Sequence, residues 1–232
     1  MRRFLQKILT KPVTWLANKY SSRPNLERVH SALTDLYEHS KEYPGKKVMV
    51  TEATVSNARF IIFSDQHKGA KDGSDDFMMC EGTYMAALEF YYQQNFHFIS
   101  LGDEEELWEN TVWPVKAKNK DSIDLQKKFL LQQRYTKVYG NHDIFWNNDP
   151  FAGMHLYSMY GQTLKIYDAV VLKITEGEKS VPIFCTHGHQ GDGQSDGNWF
   201  SAWFVSRVWA PLQSFLQINL NIPSARTTIK TA

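Results

Sequence analysis

VYGNHDIFWN, residues 138–147, is the stretch on which the reading of the chain turns. Val138 and Tyr139 have the character of a buried strand's last residues. Gly140, Asn141, His142 and Asp143 then follow with no spacer. Gly, Asn and Asp are common turn formers, so the tetrapeptide alone is compatible with an ordinary surface turn. What stands at the other strand ends decides between a turn and a site.

Upstream, KKVMVTEATVSNARFIIFSDQH reads as two strands with a turn at Ser56-Asn57. The second strand, 59–64, is short and apolar in the manner of a central strand, and it ends in Asp65-Gln66-His67. Residues 96–101 form another apolar strand, ending in Gly102-Asp103. Downstream, 163–174 and 180–186 are strands joined by the polar turn EGEK, and the last of them ends in His187-Gly188-His189. Helical spacing of Leu26, Val29, Leu33 and Leu36 predicts a helix over 26–43, stopped by Pro44 and Gly45. A second helix is expected over 77–94, and a third running to Arg134 with Asp124 as its cap. The charged stretch of Lys116, Lys118, Lys120 and Asp121 reads as a solvated face or loop. From Trp199 to Leu220 the pattern is helical again, interrupted at Pro211. Strands alternating with helices predict an α/β sandwich.

The 232 residues are enough for one domain with a sizeable core. A formal charge of +1 gives no global argument for nucleic acid or for a strongly acidic partner. The two cysteines, Cys80 and Cys185, have neither metal spacing nor a disulfide framework, which fits a reducing, cytoplasmic setting. No apolar run reaches membrane-spanning length. Residues 1–25 place Arg2, Arg3, Lys7, Lys11, Lys19 and Arg23 ahead of the first acid, Glu27, with Phe4, Leu5, Ile8 and Leu9 on one helical face. Such a basic amphipathic segment suits peripheral contact with an anionic membrane surface. A helix packed on its own domain is the alternative.

Four strands thus end in metal-capable side chains. Ligands of α/β folds gather at carboxyl ends of strands. Mixed carboxylate, imidazole and amide donors suit divalent ions such as Mn, Fe or Zn. FSDQHKG, SLGDEEELW, VYGNHD and FCTHGHQGD resemble, in this order, the motifs of the calcineurin-like metallophosphoesterase superfamily, over residues 58–200. GDEEELW followed by GNHD also leans towards the UDP-2,3-diacylglucosamine hydrolase branch, whose members work at the membrane surface. The resemblance implies a β-sandwich flanked by helices in four α-β-β-α layers, with residues 26–232 as the catalytic domain. It implies two divalent ions, Mn foremost and Fe, Zn or Mg as alternatives. Asp65 and His67 would hold the first ion, and Asp103 would bridge both. Asn141 and His187 would hold the second. His142 would contact the phosphate and protonate the leaving group, and Asp143 would orient His142. The implied reaction is water-dependent cleavage of a phosphoester or pyrophosphate bond in a phosphorylated small molecule or lipid. A binding protein with an impaired site, and a soluble phosphatase or nuclease, are the competing functions.

The superfamily pattern closes with GHxH on a further strand, and no histidine follows His189. The first reading takes THGHQ as the penultimate motif, with the final motif and part of the fold absent at the C-terminus. The second takes His187 and His189 as a degenerate GHxH preceded by His155. The first is preferred, because His155 follows no strand end and GDG after His189 fits the penultimate motif. Around the site, one of Glu104, Glu105 and Glu106 is a candidate to orient a ligand histidine, unless all three are helix N-terminal acids. Lys68, Lys71 and Asp72 would meet a substrate phosphate or face solvent, and Asp192 and Asp196 would be supporting or turn residues. Trp108, Trp113 and the aromatic run from Trp199 to Leu216 are core, an apolar wall for acyl chains, or a surface that missing sequence would cover.

Overall fold

The computed structural model describes residues 25–72 and 75–192, with the isolated positions 8, 9, 11, 12, 15 and 208. Most of the basic N-terminal segment, the helix expected from Trp199, Asp196 and the segment after Asp192 where a closing motif was sought lie outside the described residues.

The chain builds two sheets. Helix α1 (Leu26–Glu42) starts at Asn25, whose side chain accepts the Arg28 N–H at 3.1 Å. Strand β1 (Val48–Thr54) follows. Then come β2 (Phe60–Phe63), α2 (Phe77–Gln93) and β3 (His97–Leu101). Next are α3 (Val112–Lys118), α4 (Lys120–Leu131) and β4 (Tyr135–Val138). The short α5 (Phe145–Asn148) and α6 (Ala152–Tyr160) lead to β5 (Ile166–Tyr167), β6 (Ala169–Glu176) and β7 (Lys179–Thr186). One sheet has the order β1-β6-β7 and the other β2-β3-β4-β5. The second is parallel throughout, so β2, β3 and β4 end at the same edge.

Period-two alternation divides each strand between two layers. Phe98 and Tyr135 face the helices, packing with Phe77, Leu88, Phe129 and Leu156. Ile99 and Val138 face the other way, onto Val170 and Leu172 of the first sheet. On that sheet's outer side Val48, Ala169 and Val171 meet Leu36 of α1. The layers are therefore helix, sheet, sheet, helices, as the sandwich reading predicted. Each fully buried Phe or Leu in them contributes about 2 kcal/mol of hydrophobic stabilisation.

Several local expectations are corrected. The strands on either side of the Ser56-Asn57 turn lie in different sheets, and the chain changes sheet again at Asp168, which splits the expected strand 163–174 into β5 and β6. Among the described residues β2 has a single neighbour, β3, so it is an edge strand and not a central one. The charged stretch around residues 116–121 is helical. Asp124 lies inside α4 rather than capping it, paired with Lys120 at 3.1 Å and Lys127 at 2.9 Å. These i,i+3 and i,i+4 pairs put the charges on an exposed helix face, a pattern that resembles a polar loop when read linearly. Helices α5 and α6 were not expected. Among the described residues no helix is long and apolar enough to cross a membrane.

Candidate metal centre

Beyond the ends of β2 and β3 the two strands keep their pairing as loops. Asp65 N–H donates to Gly102 O (3.2 Å), His67 N–H to Asp103 O (2.9 Å) and Lys68 N–H to Glu104 O (2.9 Å). The side chains are turned by backbone in the left-handed region: φ is 58° at Asp65, 47° at His67 and 50° at Asp103. Non-glycine residues in that region store strain, which is held only where surrounding contacts fix it. Two glycines make room. A Cβ at Gly102 would lie 2.5 Å from the His187 ring, and one at Gly140 2.2 Å from Asp103 Oδ1.

Among the described residues this folding gathers two adjacent groups of metal-capable side chains, His67 with Glu106 and His142, and Asp65 with Asp103 and His187. Ligand atoms within each group lie within 4.8 Å of one another. Asp103 Oδ2 faces His187 Nε2 at 3.1 Å and His67 Nε2 at 3.7 Å. Its Oδ1 accepts the His142 backbone N–H at 2.8 Å. His187 reaches this edge from the other sheet. Its Nδ1–H donates to Leu101 O at 3.1 Å, and its Nε2 faces Asn141 Oδ1 at 3.2 Å. No family model, curated protein or solved structure matches the chain. The paired clusters could nonetheless hold two metal ions, an arrangement consistent with the calcineurin-like metallophosphoesterase superfamily.

Glu106 is the carboxylate that the sequence could not single out from its neighbours. Its Oε2 accepts from His67 Nδ1 at 2.9 Å and from His142 Nδ1 at 2.7 Å. The acid on the His142 ring is thus Glu106 and not Asp143. Asp143 is fully buried and accepts three backbone N–H groups, from Gly140 (2.6 Å), Glu104 (3.0 Å) and Asp103 (3.3 Å), tying the GNHD turn to the loop after β3. Trp108, whose role was left open between core, acyl wall and covered surface, stacks on His142 with centroids 4.0 Å apart and planes 17° from parallel. Its Nε1–H donates to Asn141 O at 2.6 Å.

Other expectations near the site are overturned. Glu104, Glu105 and Glu106 do not open a helix; residues 103–106 form a loop. Lys68 meets neither phosphate nor solvent but is buried against Glu104 at 2.8 Å. Lys71 pairs with Glu81 at 2.7 Å. His155 lies on α6 beside Trp113 and Phe145, and His189 is buried next to His187, their ring centroids 5.6 Å apart.

The electrostatics follow from burial opposed by close charge. Burial alone would raise the Asp103 carboxyl, but the His187 hydrogen bond and the surrounding histidines pull it down to about 2. Burial would likewise raise Glu106, and the hydrogen bonds from His142 and His67 bring it to about 2. Burial would lower His67, yet the Glu106 hydrogen bond and the charges of Asp103, Glu106 and Asp65 raise it to about 8. Burial also works against a charged His187, and its bond to Asp103 outweighs this and raises it. Desolvation by the neighbouring chain, and then the charge of Glu106, push the exposed Glu109 up to about 7.

The donor set fits cations. The Nδ1 atoms of His67 and His187 each lie on an acceptor oxygen, so they carry the proton and leave the Nε2 lone pair exposed. That lone pair faces further acceptors: Asp103 and Asp65 for His67, and Asp103 and Asn141 for His187. Lone pairs aimed at lone pairs need a positive charge between them, either a proton or a metal ion.

Proposed function

We propose that the chain is a divalent-metal-dependent phosphohydrolase that cleaves a phosphoester or pyrophosphate bond with water. The observation that carries this reading is the convergence of His67 Nε2 and His187 Nε2 on one carboxylate oxygen of Asp103, each with its other nitrogen tied down. Asp65, His67 and Asp103 would hold one ion, and Asp103, Asn141 and His187 the other. Manganese suits this oxygen and nitrogen set, with Fe, Zn or Mg as alternatives. When bound, the pair would supply charge to the phosphoryl oxygens and an acidified water, as two ions about 3.5–4 Å apart do elsewhere.

The chain's own residues do the rest. Glu106 holds His142 by Nδ1, leaving Nε2 as the nitrogen turned to substrate. Carrying a proton there, His142 stabilises charge on the phosphoryl group and protonates the departing oxygen. Trp108 restricts that ring to one plane. Asn141 offers an amide oxygen, which binds a cation without adding negative charge that would repel phosphate. Asp143 acts through the backbone, keeping the GNHD turn in register with Asp103.

A lipid-linked substrate is the finer version of this reading, in line with the resemblance to the diacylglucosamine hydrolase branch. It is favoured by the exposed Trp113, Phe151, Met154 and Tyr157, which lie on α3 and on the segment that follows the GNHD turn. Such an enzyme would work in the cytoplasm, against the membrane surface. Nucleic acid is not favoured as a substrate.

The test is manganese bound per chain, measured together with hydrolysis of bis(p-nitrophenyl) phosphate, in the unaltered chain and in Asp103→Asn. Close to two ions and turnover that falls to background in the variant are expected. A folded, unaltered chain that binds no manganese would sink the proposal.

A further inference from the structure

Directly beneath the candidate metal centre lies a second cluster of charge that the proposed chemistry does not touch. Glu104, Glu105, Lys68 and Lys137 are all buried, with Glu104 and Lys137 at 0% exposure. The Glu104 carboxylate takes donors on both oxygens. Oε1 accepts from Lys68 at 2.8 Å and from the Gln126 amide. Oε2 accepts from Ser100 at 2.7 Å, from Tyr135 at 2.9 Å and from Lys137. Glu105 Oε2 takes Lys137 at 2.8 Å and the Trp146 indole N–H at 2.9 Å. The network closes through Tyr84, which accepts from Gln126 at 2.9 Å and Lys68 at 3.3 Å, and through Tyr160, which donates to Gln126 at 2.9 Å.

The four charges come from the three segments that carry the candidate ligands. Lys68 follows His67 directly. Glu104 and Glu105 lie between Asp103 and Glu106. Lys137 sits in β4, just before the GNHD turn. Well-packed apolar residues in place of a buried ion cluster are often as stable or more so, so stability alone is a poor reason for four buried charges. Lys137 bridging both carboxylates, with Lys68 on Glu104, does however allow few arrangements, and so fixes the segments after β2, β3 and β4 against one another.

We infer that Lys68, Glu104, Glu105 and Lys137 are positioning residues for the metal centre: this ion lattice sets the separation of the two ion sites by locking the loop after β3 to the segments carrying His67 and Asn141. The inference rests on the metal reading above. Groups behind the ligands of a metal site change its affinity by about 10–100-fold.

The experiment uses Mn2+ alone as the probe, with the full chain. Calorimetric titration gives affinity, and electron paramagnetic resonance reports whether two bound ions are exchange-coupled. Lys137→Met and the isosteric Glu105→Gln are compared with the unaltered chain and with the surface control Lys173→Ala. Folding is monitored by circular dichroism. The expected result is a coupled pair in the unaltered chain and the control, and at least about tenfold weaker binding with loss of coupling in folded Lys137→Met. Glu105→Gln should show the same change to a lesser degree. If Lys137→Met does not fold, Glu105→Gln decides by the same two readouts. Folded variants that keep both affinity and coupling overturn this inference and leave the metal reading intact. An unaltered chain that takes up no Mn2+ overturns both.

Discussion

Asp103 and Glu106 share one short loop with Glu104 and Glu105, yet the two pairs of acids occupy opposite surroundings. The first pair faces the crevice, among histidines and near Asp65, whose side chain is 62% exposed. The second faces inward, where every charge has a lysine, tyrosine, tryptophan or amide against it. Around Asp103 lone pairs point at one another, with the Nε2 atoms of His67 and His187 both turned to its Oδ2, whereas Glu106 and the lower-layer charges are already matched. The same residue type faces histidines or buried cations according to which way the loop aims it. A site of this kind needs both, because a cluster of mutually repelling acceptors does not hold its own shape.

The comparison breaks most visibly through stability. Glu104→Leu removes the acceptor shared by Lys68 and Lys137 and leaves buried positive charge short of partners. The expected loss is about 3–5 kcal/mol in denaturant unfolding of the metal-free chain. Asp65→Asn, in the exposed upper layer, should stay within about 0.5 kcal/mol under the same conditions. Equal costs at the two positions would mean that the layers do not differ as described.

Trp108 separates positioning from ligation within the upper layer itself. It stacks on His142 and holds the Asn141 carbonyl, but belongs to neither group of metal-capable side chains. Trp108→Ala should lower kcat by about 10–100-fold while manganese content stays the same. A drop in bound metal instead would place Trp108 with the ligand scaffold.

How much of this was readable before the fold is instructive. The four strand ends were legible, because an apolar strand that stops abruptly in Asp, His or Asn is a strong local contrast. The assignment of strands to sheets was not. The changes of sheet near Ser56 and at Asp168 are made by ordinary polar residues, and β2 is apolar enough to pass for a central strand. Nor could the sequence rank Glu104, Glu105 and Glu106, since three consecutive acids differ only in the direction each one leaves the loop. Lys68 was expected to meet a phosphate or face solvent because it adjoins DQH, when in fact the chain turns it under the site. Lys137 did carry a signal: a lysine inside the run YTKV is costly unless paired, and all four positions of that strand are buried. Asp143 was read as the partner of its neighbour His142, while its carboxylate serves backbone amides instead.

The smallest expected effect, and the one that sharpens the contrast furthest, is in pH. His67 has a folded value of about 8 against an ordinary 6.5. A group raised on folding contributes stability that is complete below the unfolded value and fades as pH climbs through the folded one. The chelated chain should therefore lose stability between pH 6.5 and 8 on account of His67. Glu109, raised from 4.5 to about 7, adds a decline of the same sign at lower pH, because the folded state keeps a proton that the unfolded chain releases. The lower layer contributes no slope there. Lys137 is raised well above 10.5 by Glu104 and Glu105 against the effect of burial, and Glu104 is lowered from 4.5 by Lys137 and Lys68, again against burial, so both stay charged throughout. Bound manganese reverses the sign, since metal competes with the proton on His67 and gains affinity as that proton leaves. Melting curves from pH 6 to 9 in chelator and in manganese should consequently diverge, and His67→Gln should reduce the chelator slope between 6.5 and 8, leaving the part that His187 and Glu109 contribute. Parallel curves in the two conditions would show that no cation replaces the proton at His67, and the two layers would then differ in burial alone.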